Sequence, residues 1–382
     1  MREGARILVV EPAATGGLHA HVDDELSALA ALGVDAERAD VRILPRPDPR
    51  TDAATVRALR RAAASGEWDA IHAHGLRAGA LAGIACLGTR CRWAVRRGTD
   101  RRGIGATRRD PRRRGLRLVT TLHNRTTGSR PARVLGGVLL AVAARAADVV
   151  LGVSPDLVDS ARRAGAREAR LAVIPAHPPG ASAPAVQPRA AAPASHEGDA
   201  DDGANGPLQV LVLARLAPQK DLPTLLDAAG ILEAAAPGTV RIRVAGDGPL
   251  HGELAAEIAR RELPVELLGR REDVPALLGG TDVVVSSSIW EGQPVGLQEA
   301  LHAGCAIVAT DAGGTRAVTG TAAALVGVGD APGLAREIAR LRDPAELARA
   351  RAAARQRAAQ LPTDADLAAQ LLDVLVTGPD RQ

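Results

Sequence analysis

Short apolar strands alternate with helices along nearly the whole chain, and this alternation limits the possible fold more than any other feature. In the first half we predict strands at 6–10, 70–72, 116–121, 148–153 and 171–174, with a helix after each of the first four. Strands this apolar, each followed by a helix, are typical of a parallel sheet that is covered on both faces.

The same alternation resumes at residue 208. The predicted strands of this half are 208–213, 240–245, 265–268, 281–285 and 306–309. Helices alone follow them, at 332–341, 344–360 and 364–375. We therefore expect an α/β protein with two doubly wound Rossmann-like domains facing across a cleft, followed by C-terminal helices. Ligands of such sheets bind beyond the carboxyl ends of the strands.

A segment without strand or helix patterns separates the two halves. Residues 176–207 are rich in Pro, Ala, Gly, Ser and Asp and hold almost no large apolar side chain, which is typical of a flexible linker. The domains are therefore predicted at 1–175 and 208–362. The last segment, 363–382, is predicted to be a helix for which the N-terminal domain offers a packing surface.

Positive charge is concentrated in one segment, Arg90–Arg117, which holds 12 Arg and 2 Asp in a chain of net charge +4. A solvated surface loop is the simplest explanation. A patch that attracts anionic lipid head groups or a phosphorylated acceptor is a sharper one. Nucleic acid is the least favoured partner, because Trp93 is the only aromatic side chain that accompanies these arginines.

Three further features concern location. Cys86, Cys91 and Cys305 lack the spacing of a metal or redox motif, which fits a reducing compartment. The first residues lead directly into a strand, so no signal peptide is predicted. The longest apolar run, 134–144, is too short to cross a bilayer. We expect a cytoplasmic protein, at most peripheral on the inner face of the membrane.

The segment 286–300 contains a strand end, a Gly/Pro loop and the start of a helix. The first amides of that helix, at Val295 and Gly296, have no partner within the helix and form a ready site for phosphate. Glu291 and Glu299 bracket this site. Taken alone they are best explained as solvated glutamates; the alternative is that they bind hydroxyl groups of a ribose and a sugar attached to the phosphate.

Arg215 and Lys220 follow the strand at 208–213 and are predicted to reach the same edge of the sheet. Lys220 is the only lysine among 48 basic residues, which suggests that a compact ammonium group is needed there. Two cations beside a helix N-terminus suit a diphosphate and remove the need for a metal. No Asp-x-Asp pair follows a strand in this half, which disfavours a metal-dependent nucleotide-sugar site.

In the first half, Gly16-Gly17 follows the first strand and allows backbone amides to approach a phosphate or sugar closely. The segment lacks the G-x-G-x-x-G fingerprint of a dehydrogenase. His123 follows a buried strand and is a candidate to bind a sugar hydroxyl or stabilise developing charge. His72 and His74 are placed similarly, whereas His21 is expected to be structural.

Together these motifs resemble retaining glycosyltransferases of family 4 (glycosyl transferases group 1), which have the GT-B fold. The resemblance covers nearly the whole chain apart from the linker and the Arg-rich segment. It rests on the E-x7-E spacing of Glu291 and Glu299, an R-L-x-x-x-K segment from Arg215 to Lys220, G-G-x-x-x-H-V at 16–22, G-D-G-P at 246–249, Ala147-Asp148 to Ser154, and Gly313-Gly314.

The resemblance implies a role for each residue of the second-half site. Arg215 and Lys220, with the amides of Val295 and Gly296, would bind the diphosphate of a nucleotide-sugar donor. Glu299 would bind its ribose.

The resemblance also implies roles for the remaining residues. Glu291 would hold hydroxyls of the transferred sugar, and the backbone near Arg270 would face the base. His123 would contact the sugar near the leaving phosphate, and Gly16-Gly17 would line the donor pocket.

The implied reaction is a metal-independent, retaining transfer of a hexose from a nucleotide-diphosphate sugar to an acceptor hydroxyl. No cofactor or metal is expected. The acceptor would be a sugar, a lipid-linked or a small molecule, in cell-envelope glycolipid, polysaccharide or glycoside biosynthesis. The alternatives are a nucleotide-sugar epimerase or phosphorylase on the same fold, or a catalytically silent nucleotide-sugar-binding protein.

The sequence departs from the family pattern at three places. Arg316 stands where a glutamate usually follows the Gly-Gly pair, which concerns the choice of sugar or acceptor. Gln293 replaces an aromatic residue, and the segment 175–178 replaces the usual end of the first domain.

Overall fold

The structure is a computed structural model that describes residues 4–13, 17–44, 46–95, 115–126, 128–175 and 206–377. Gly16, most of the predicted linker and residues 96–114 of the Arg-rich segment lie outside the described residues. The chain divides into two compact units, one formed by Met1–Pro175 with Pro362–Gln382 and the other by Ala176–Leu361.

The first unit is a six-stranded parallel sheet with helices between its strands. Its elements are β1 (Arg6–Val10), α1 (Gly17–Ala31), β2 (Asp35–Arg38), α2 (Pro49–Ser65), β3 (Ala70–His74), α3 (Leu76–Val95), β4 (Arg117–Leu122), α4 (Arg130–Ala146), β5 (Val149–Gly152), α5 (Pro155–Arg163) and β6 (Ala169–Leu171). The strand order is β2-β1-β3-β4-β5-β6, so the sheet grows in opposite directions from β1.

Two histidines lie in the middle of this sheet, on β3. Val9 of β1 is in register with His72, and His74 is in register with Thr121 of β4. The inner strands of the sheet, β1 and β3 to β5, are otherwise mainly Ile, Leu, Val and Ala and are buried, because helices cover both faces of the sheet. Polar side chains buried in such a core need polar partners, and for these two histidines a partner lies on helix α1.

The last helix of the chain belongs to the first unit. Helix α13 (Asp364–Leu371) packs against α1 and continues as a π-helical turn (Leu372–Thr377) that contacts β3 and β4. The Gln370 side chain accepts a hydrogen bond from the Val173 amide at 2.8 Å.

The second unit is also a six-stranded parallel sheet. Its elements are β7 (Leu208–Leu213), a 3₁₀ turn (Pro218–Lys220), α6 (Leu222–Ala235), β8 (Val240–Ala245), α7 (His251–Arg261), β9 (Val265–Gly269), α8 (Val274–Gly279), β10 (Val283–Ser286), α9 (Val295–Ala303), β11 (Ala306–Thr310), α10 (Thr315–Thr319), β12 (Ala323–Val326), α11 (Ala331–Arg340) and α12 (Pro344–Ala358).

The strand order of the second unit is β12-β11-β10-β7-β8-β9. Chain connections run outward from β7 on one side and from β10 on the other, so these two adjacent central strands form the topological switch point. In open parallel sheets the crevice at the carboxyl ends of such strands is where ligands bind. The segments that follow β7 and β10 are those that carry Lys220 and Glu291.

The predicted α/β class with two parallel sheets is confirmed. Two strands, β2 and β12, and two α-helices, α2 and α10, were not predicted, and the strand predicted at 171–174 instead lies at Ala169–Leu171. Strand β2 is an edge strand with mostly exposed polar side chains, so it lacks an apolar pattern. Among the described residues, no helix is long and apolar enough to cross a membrane.

Candidate active site

Hydrogen bonds join the loops that follow β7 and β10. The Ile289 amide donates to the Gln219 carbonyl at 2.9 Å, and the Gln219 side chain donates to the Trp290 carbonyl at 2.8 Å. The Ser287 hydroxyl donates to the Lys220 carbonyl at 2.9 Å. These bonds fix the two loops against each other beyond the switch point, so the side chains they carry are held in place.

Lys220 and Glu291 form an ion pair at this position. The Lys220 Nζ lies 2.6 Å from Glu291 Oε1, and the Ser288 hydroxyl donates to the same oxygen at 2.5 Å. The Glu291 side chain is 9% exposed and the Lys220 side chain 22% exposed. An ammonium group has three donors, so Lys220 retains capacity for a further acceptor on its open side.

The two residues line a cavity of about 270 Å³ together with the N-terminus of α9. Val295 and Gly296, the first residues of α9, form part of its wall. Helix N-termini carry partial positive charge and unpaired amides, so the cavity combines an ammonium group with a second source of positive potential.

Glu299 lies on α9, beyond the residues that line the cavity. Its side chain is partly buried, and burial raises the pKa of its carboxyl group above the ordinary value. Among the described residues it has no hydrogen-bond or ion-pair partner. A carboxylate held in this way is available to accept hydrogen bonds from hydroxyl groups.

Close backbone approach shapes the site at two glycines. A side chain at Gly246 would place its Cβ 1.9 Å from the Ala214 carbonyl oxygen, in the loop after β7. Gly313 has a positive φ of 59°, and a Cβ there would lie 2.1 Å from the Glu291 carbonyl oxygen. The G-D-G-P and Gly-Gly motifs therefore support the two loops that carry Lys220 and Glu291.

Three arginines singled out by the sequence do not join the ion pair. Arg215 is exposed after β7, Arg270 is exposed after β9, and neither has a side-chain partner among the described residues. Arg316 on α10 pairs with Asp311 at 2.5 Å and is 64% exposed. Arg215 and Arg270 nevertheless lie at the carboxyl edge of the sheet, because their strands end there.

In the first unit, a buried carboxylate lies among histidine rings. Glu25 of α1 is 1% exposed. Its Oε1 lies 2.9 Å from His21 Nε2, and its Oε2 lies 3.1 Å from both His72 Nδ1 and His74 Nε2. His74 Nδ1 in turn lies 3.2 Å from Nε2 of His123, the residue after β4. His123 is partly exposed and is the outermost ring of the cluster.

The protonation states of the cluster follow from burial and from the single carboxylate. Burial lowers the pKa of His74 to about 4, against the opposing effect of Glu25, and burial also lowers the pKa of His123 well below its ordinary value. For His21 burial lowers the pKa, but Glu25 outweighs it and the net pKa is raised. Burial would raise the pKa of Glu25, yet the three rings hold it well below its usual range.

His123 directly follows the buried strand β4, where the sequence analysis placed it. Its contact with His74 was not predicted, and neither was the link from both to Glu25. The signal available was the i, i+4 spacing of His21 and Glu25, which places both side chains on one face of α1. Gly17 begins α1 after β1, and Gly16 lies outside the described residues.

Two family models match the sequence. Residues 1–177 match a glycosyl transferase 4-like domain, and residues 207–343 match glycosyl transferases group 1. The two matches correspond to the two sheets and together span most of the chain. No curated protein sequence is a significant match to it.

Solved structures share the fold of this chain at low sequence identity. Alr3699/HepE from Anabaena in complex with UDP has a TM-score of 0.66 and 20% identity, with 96% of this chain and 98% of that chain covered. Sucrose-phosphate synthase from Thermosynechococcus elongatus has a TM-score of 0.66 and 18% identity, covering 96% and 97%. A glycosyltransferase from Rickettsia africae has a TM-score of 0.65 and 14% identity, covering 98% of each.

The two parallel sheets, the family matches to both halves and the shared fold define one class of protein. The chain belongs to the glycosyltransferases of GT-B fold.

Proposed function

We propose that the protein transfers a sugar from a nucleotide-diphosphate sugar to an acceptor hydroxyl and that the second unit binds this donor. One observation carries the proposal: the paired Lys220 and Glu291 line a cavity at the switch point of the second sheet, beside the N-terminus of α9. Lys220 offers charge to a diphosphate, and the carboxylates offer acceptors to hydroxyl groups.

The diphosphate would be bound by positive potential from several directions. Lys220 retains donors beyond the one that faces Glu291, and the amides of Val295 and Gly296 open α9. Arg215 is exposed and unpaired among the described residues, so its guanidinium is available to a phosphate. These groups would stabilise the charge that develops on the leaving diphosphate.

The hydroxyl groups of the donor would be bound by the two glutamates. Glu299 would accept hydrogen bonds from the ribose, and Glu291 from the transferred sugar, while the backbone near Arg270 would face the base. Glu291 is fixed by Lys220 and Ser288, so its position does not depend on the ligand.

The solved structures support a uridine nucleotide as the first donor to test. The Anabaena HepE protein was crystallised with UDP, with UDP and glucose, and with UDP-glucose. A UDP-hexose is therefore the donor class that we propose for this chain.

We further propose that the transfer is retaining and needs no metal, as in family 4 glycosyltransferases. The E-x7-E spacing of Glu291 and Glu299 supports the family, and Lys220 with the α9 amides supplies the charge that a metal would otherwise provide. The acceptor would attack from the leaving-group side and pass its proton to the departing phosphate oxygen. The product anomer, determined by NMR, would test retention, and transfer in EDTA would test metal independence.

The first unit supports a lipid-linked acceptor at an anionic membrane. The first turns of α4 expose Val134, Leu135 and Val138, with exposed fractions between 48% and 69%, beside the exposed Arg130 and Arg133. Apolar side chains next to cations are typical of surfaces that contact anionic lipid. Weaker binding of a Val134→Ser/Val138→Ser variant to phosphatidylglycerol vesicles is expected; equal binding would remove the membrane from the proposal.

A panel of nucleotide sugars tests the proposed reaction. The purified protein is expected to hydrolyse or transfer sugar from at least one donor, and the same donor or its nucleoside diphosphate should raise the unfolding temperature. If no donor or nucleotide stabilises the protein and none is turned over, the proposed function is wrong and a catalytically silent protein becomes the better explanation.

A further inference from the structure

A buried carboxylate, Glu25, lies beside three histidine rings, one of which contacts His123. Glu25 is the only carboxylate within hydrogen-bonding distance of His21, His72 and His74 among the described residues. All four side chains are at most 4% exposed. The family resemblance gives a role in sugar binding only to His123, which contacts the cluster through His74.

The carboxylate fixes the proton on each ring nitrogen that faces it. The approaches of 2.9 to 3.1 Å lie outside ideal hydrogen-bond angles, so the attraction is mainly electrostatic. A ring nitrogen without a proton would place its lone pair beside a full negative charge, which is repulsive in a buried site. His74 therefore carries its proton on Nε2, which faces Glu25.

The state of His74 then determines that of His123. Because His74 is neutral near pH 7, a proton on Nε2 leaves its Nδ1 as an acceptor. That Nδ1 lies 3.2 Å from His123 Nε2, so His123 donates from Nε2. His123 is itself neutral, because its surroundings lower its pKa, and its Nδ1 is left without a proton.

We propose that Glu25 and His74 are positioning residues that hold His123 in one tautomer, with Nδ1 free to accept a hydrogen bond from a hydroxyl of a bound sugar. That sugar is the one that the proposed function requires. In this state His123 orients a hydroxyl group and does not protonate the leaving phosphate. A second branch, from His72 Nε2 to the Thr121 hydroxyl at 2.8 Å, leads away from His123.

The tautomer can be measured in the free protein. In ¹⁵N-histidine-labelled protein at pH 7, two-dimensional long-range ¹H–¹⁵N spectra distinguish protonated from unprotonated ring nitrogens. The His123→Gln variant assigns the His123 signals by their loss. We expect a protonated Nε2 and an unprotonated Nδ1 for His123. A proton on Nδ1, or a charged ring, would overturn the proposal whether or not the protein transfers sugar.

Variants separate positioning from a purely structural role. Glu25→Gln removes the charge and is expected to mix the two His123 tautomers and to lower kcat/KM for transfer on the order of 10- to 100-fold. Binding of free nucleoside diphosphate should not change, because Lys220 and α9 lie in the other unit. Thr121→Val, which breaks only the branch through His72, should leave the His123 signals unchanged.

Two further results would contradict the proposal. Unaltered His123 signals in Glu25→Gln would show that the carboxylate does not set the tautomer. One equivalent of bound divalent metal in the purified protein would show that His21, Glu25 and His74, whose ligand atoms lie within 4.8 Å of one another, are metal ligands instead. If no donor is turned over but the spectra are as expected, the proposed function fails and the assignment of the tautomer stands.

Discussion

The ion pair between Lys220 and Glu291 gives the sharpest prediction about stability. Lys220→Met removes the ammonium group and keeps much of the side-chain length, so a nearly buried carboxylate loses its cation. Glu291→Gln removes the opposite charge and keeps the shape. The two single variants and the double variant form a double-mutant cycle that isolates the interaction.

The geometry sets the expected magnitude. An exposed pair contributes about 0–1 kcal/mol, whereas removing one partner of a buried pair costs roughly 3–5 kcal/mol. The pair is 2.6 Å long, with 22% and 9% of the side chains exposed, and Glu291 keeps its hydrogen bond from Ser288. We therefore expect Lys220→Met to lower the free energy of unfolding by about 2–3 kcal/mol, Glu291→Gln by about 1 kcal/mol, and a coupling energy of about 1.5 kcal/mol.

Urea unfolding followed by circular dichroism measures these energies. The control is a second cycle, Arg260→Met with Glu257→Gln, on α7 of the same unit. Arg260 and Glu257 are also 2.6 Å apart, but their side chains are 68% and 36% exposed. Because solvent screens this pair, its coupling energy should be well below that of the Lys220–Glu291 pair.

The two cycles must differ for the reasoning to hold. Additive effects of Lys220→Met and Glu291→Gln would mean that the ion pair contributes nothing and that burial does not strengthen it. Equal coupling in the two cycles would lead to the same conclusion.

Three other predictions concern particular residues. Gly313→Ala should lower the free energy of unfolding by several kcal/mol, because a clash with the backbone adds to the strain of the left-handed conformation. The control, Gly329→Ala, has φ 77° and nothing within 4 Å, so it should cost only about 1–2 kcal/mol. Equal losses of the two variants in urea unfolding would refute the clash. Glu299→Gln should raise the unfolding temperature, because burial raises the pKa of this carboxyl group and disfavours its ionised form. The same variant should bind nucleotide more weakly in calorimetry. A lower unfolding temperature would refute the burial argument. The pKa of His74 is about 4 in the folded protein and about 6.5 in the unfolded chain, so the unfolded chain binds a proton first as the pH falls. The free energy of unfolding should therefore fall by about 2 kcal/mol between pH 6.5 and 5. A His74→Gln variant should show a smaller fall.

Much of the fold follows from the sequence because buried parallel strands carry a dense apolar pattern. The strands at Leu208–Leu213 and Val240–Ala245 begin and end where the pattern predicts. Strand β2 could not be found in the same way, because an edge strand needs few apolar side chains. Helix α2 carried a signal that was not used: Asp48, before Pro49, accepts a hydrogen bond from the Thr51 amide as an N-cap.

The site was predictable where its residues follow strands. Lys220 and Glu291 follow β7 and β10, and only the strand order makes these neighbours, so their ion pair could not be predicted from spacing alone. The sequence suggested separate roles for the two side chains, whereas the structure joins them directly. The contacts of Glu25 depend on how α1 lies against β3, which no local pattern specifies.

Calorimetric titration with nucleoside diphosphates tests the central claim most directly. Wild-type protein is expected to bind at least one of UDP, GDP and ADP, and Lys220→Met should weaken that binding roughly 10- to 150-fold, the value of a charge-assisted hydrogen bond of about 1.5–3 kcal/mol. Arg260→Met should bind as wild type does. Equal affinity of wild type and Lys220→Met, or no binding of any nucleotide, would contradict a diphosphate site at Lys220.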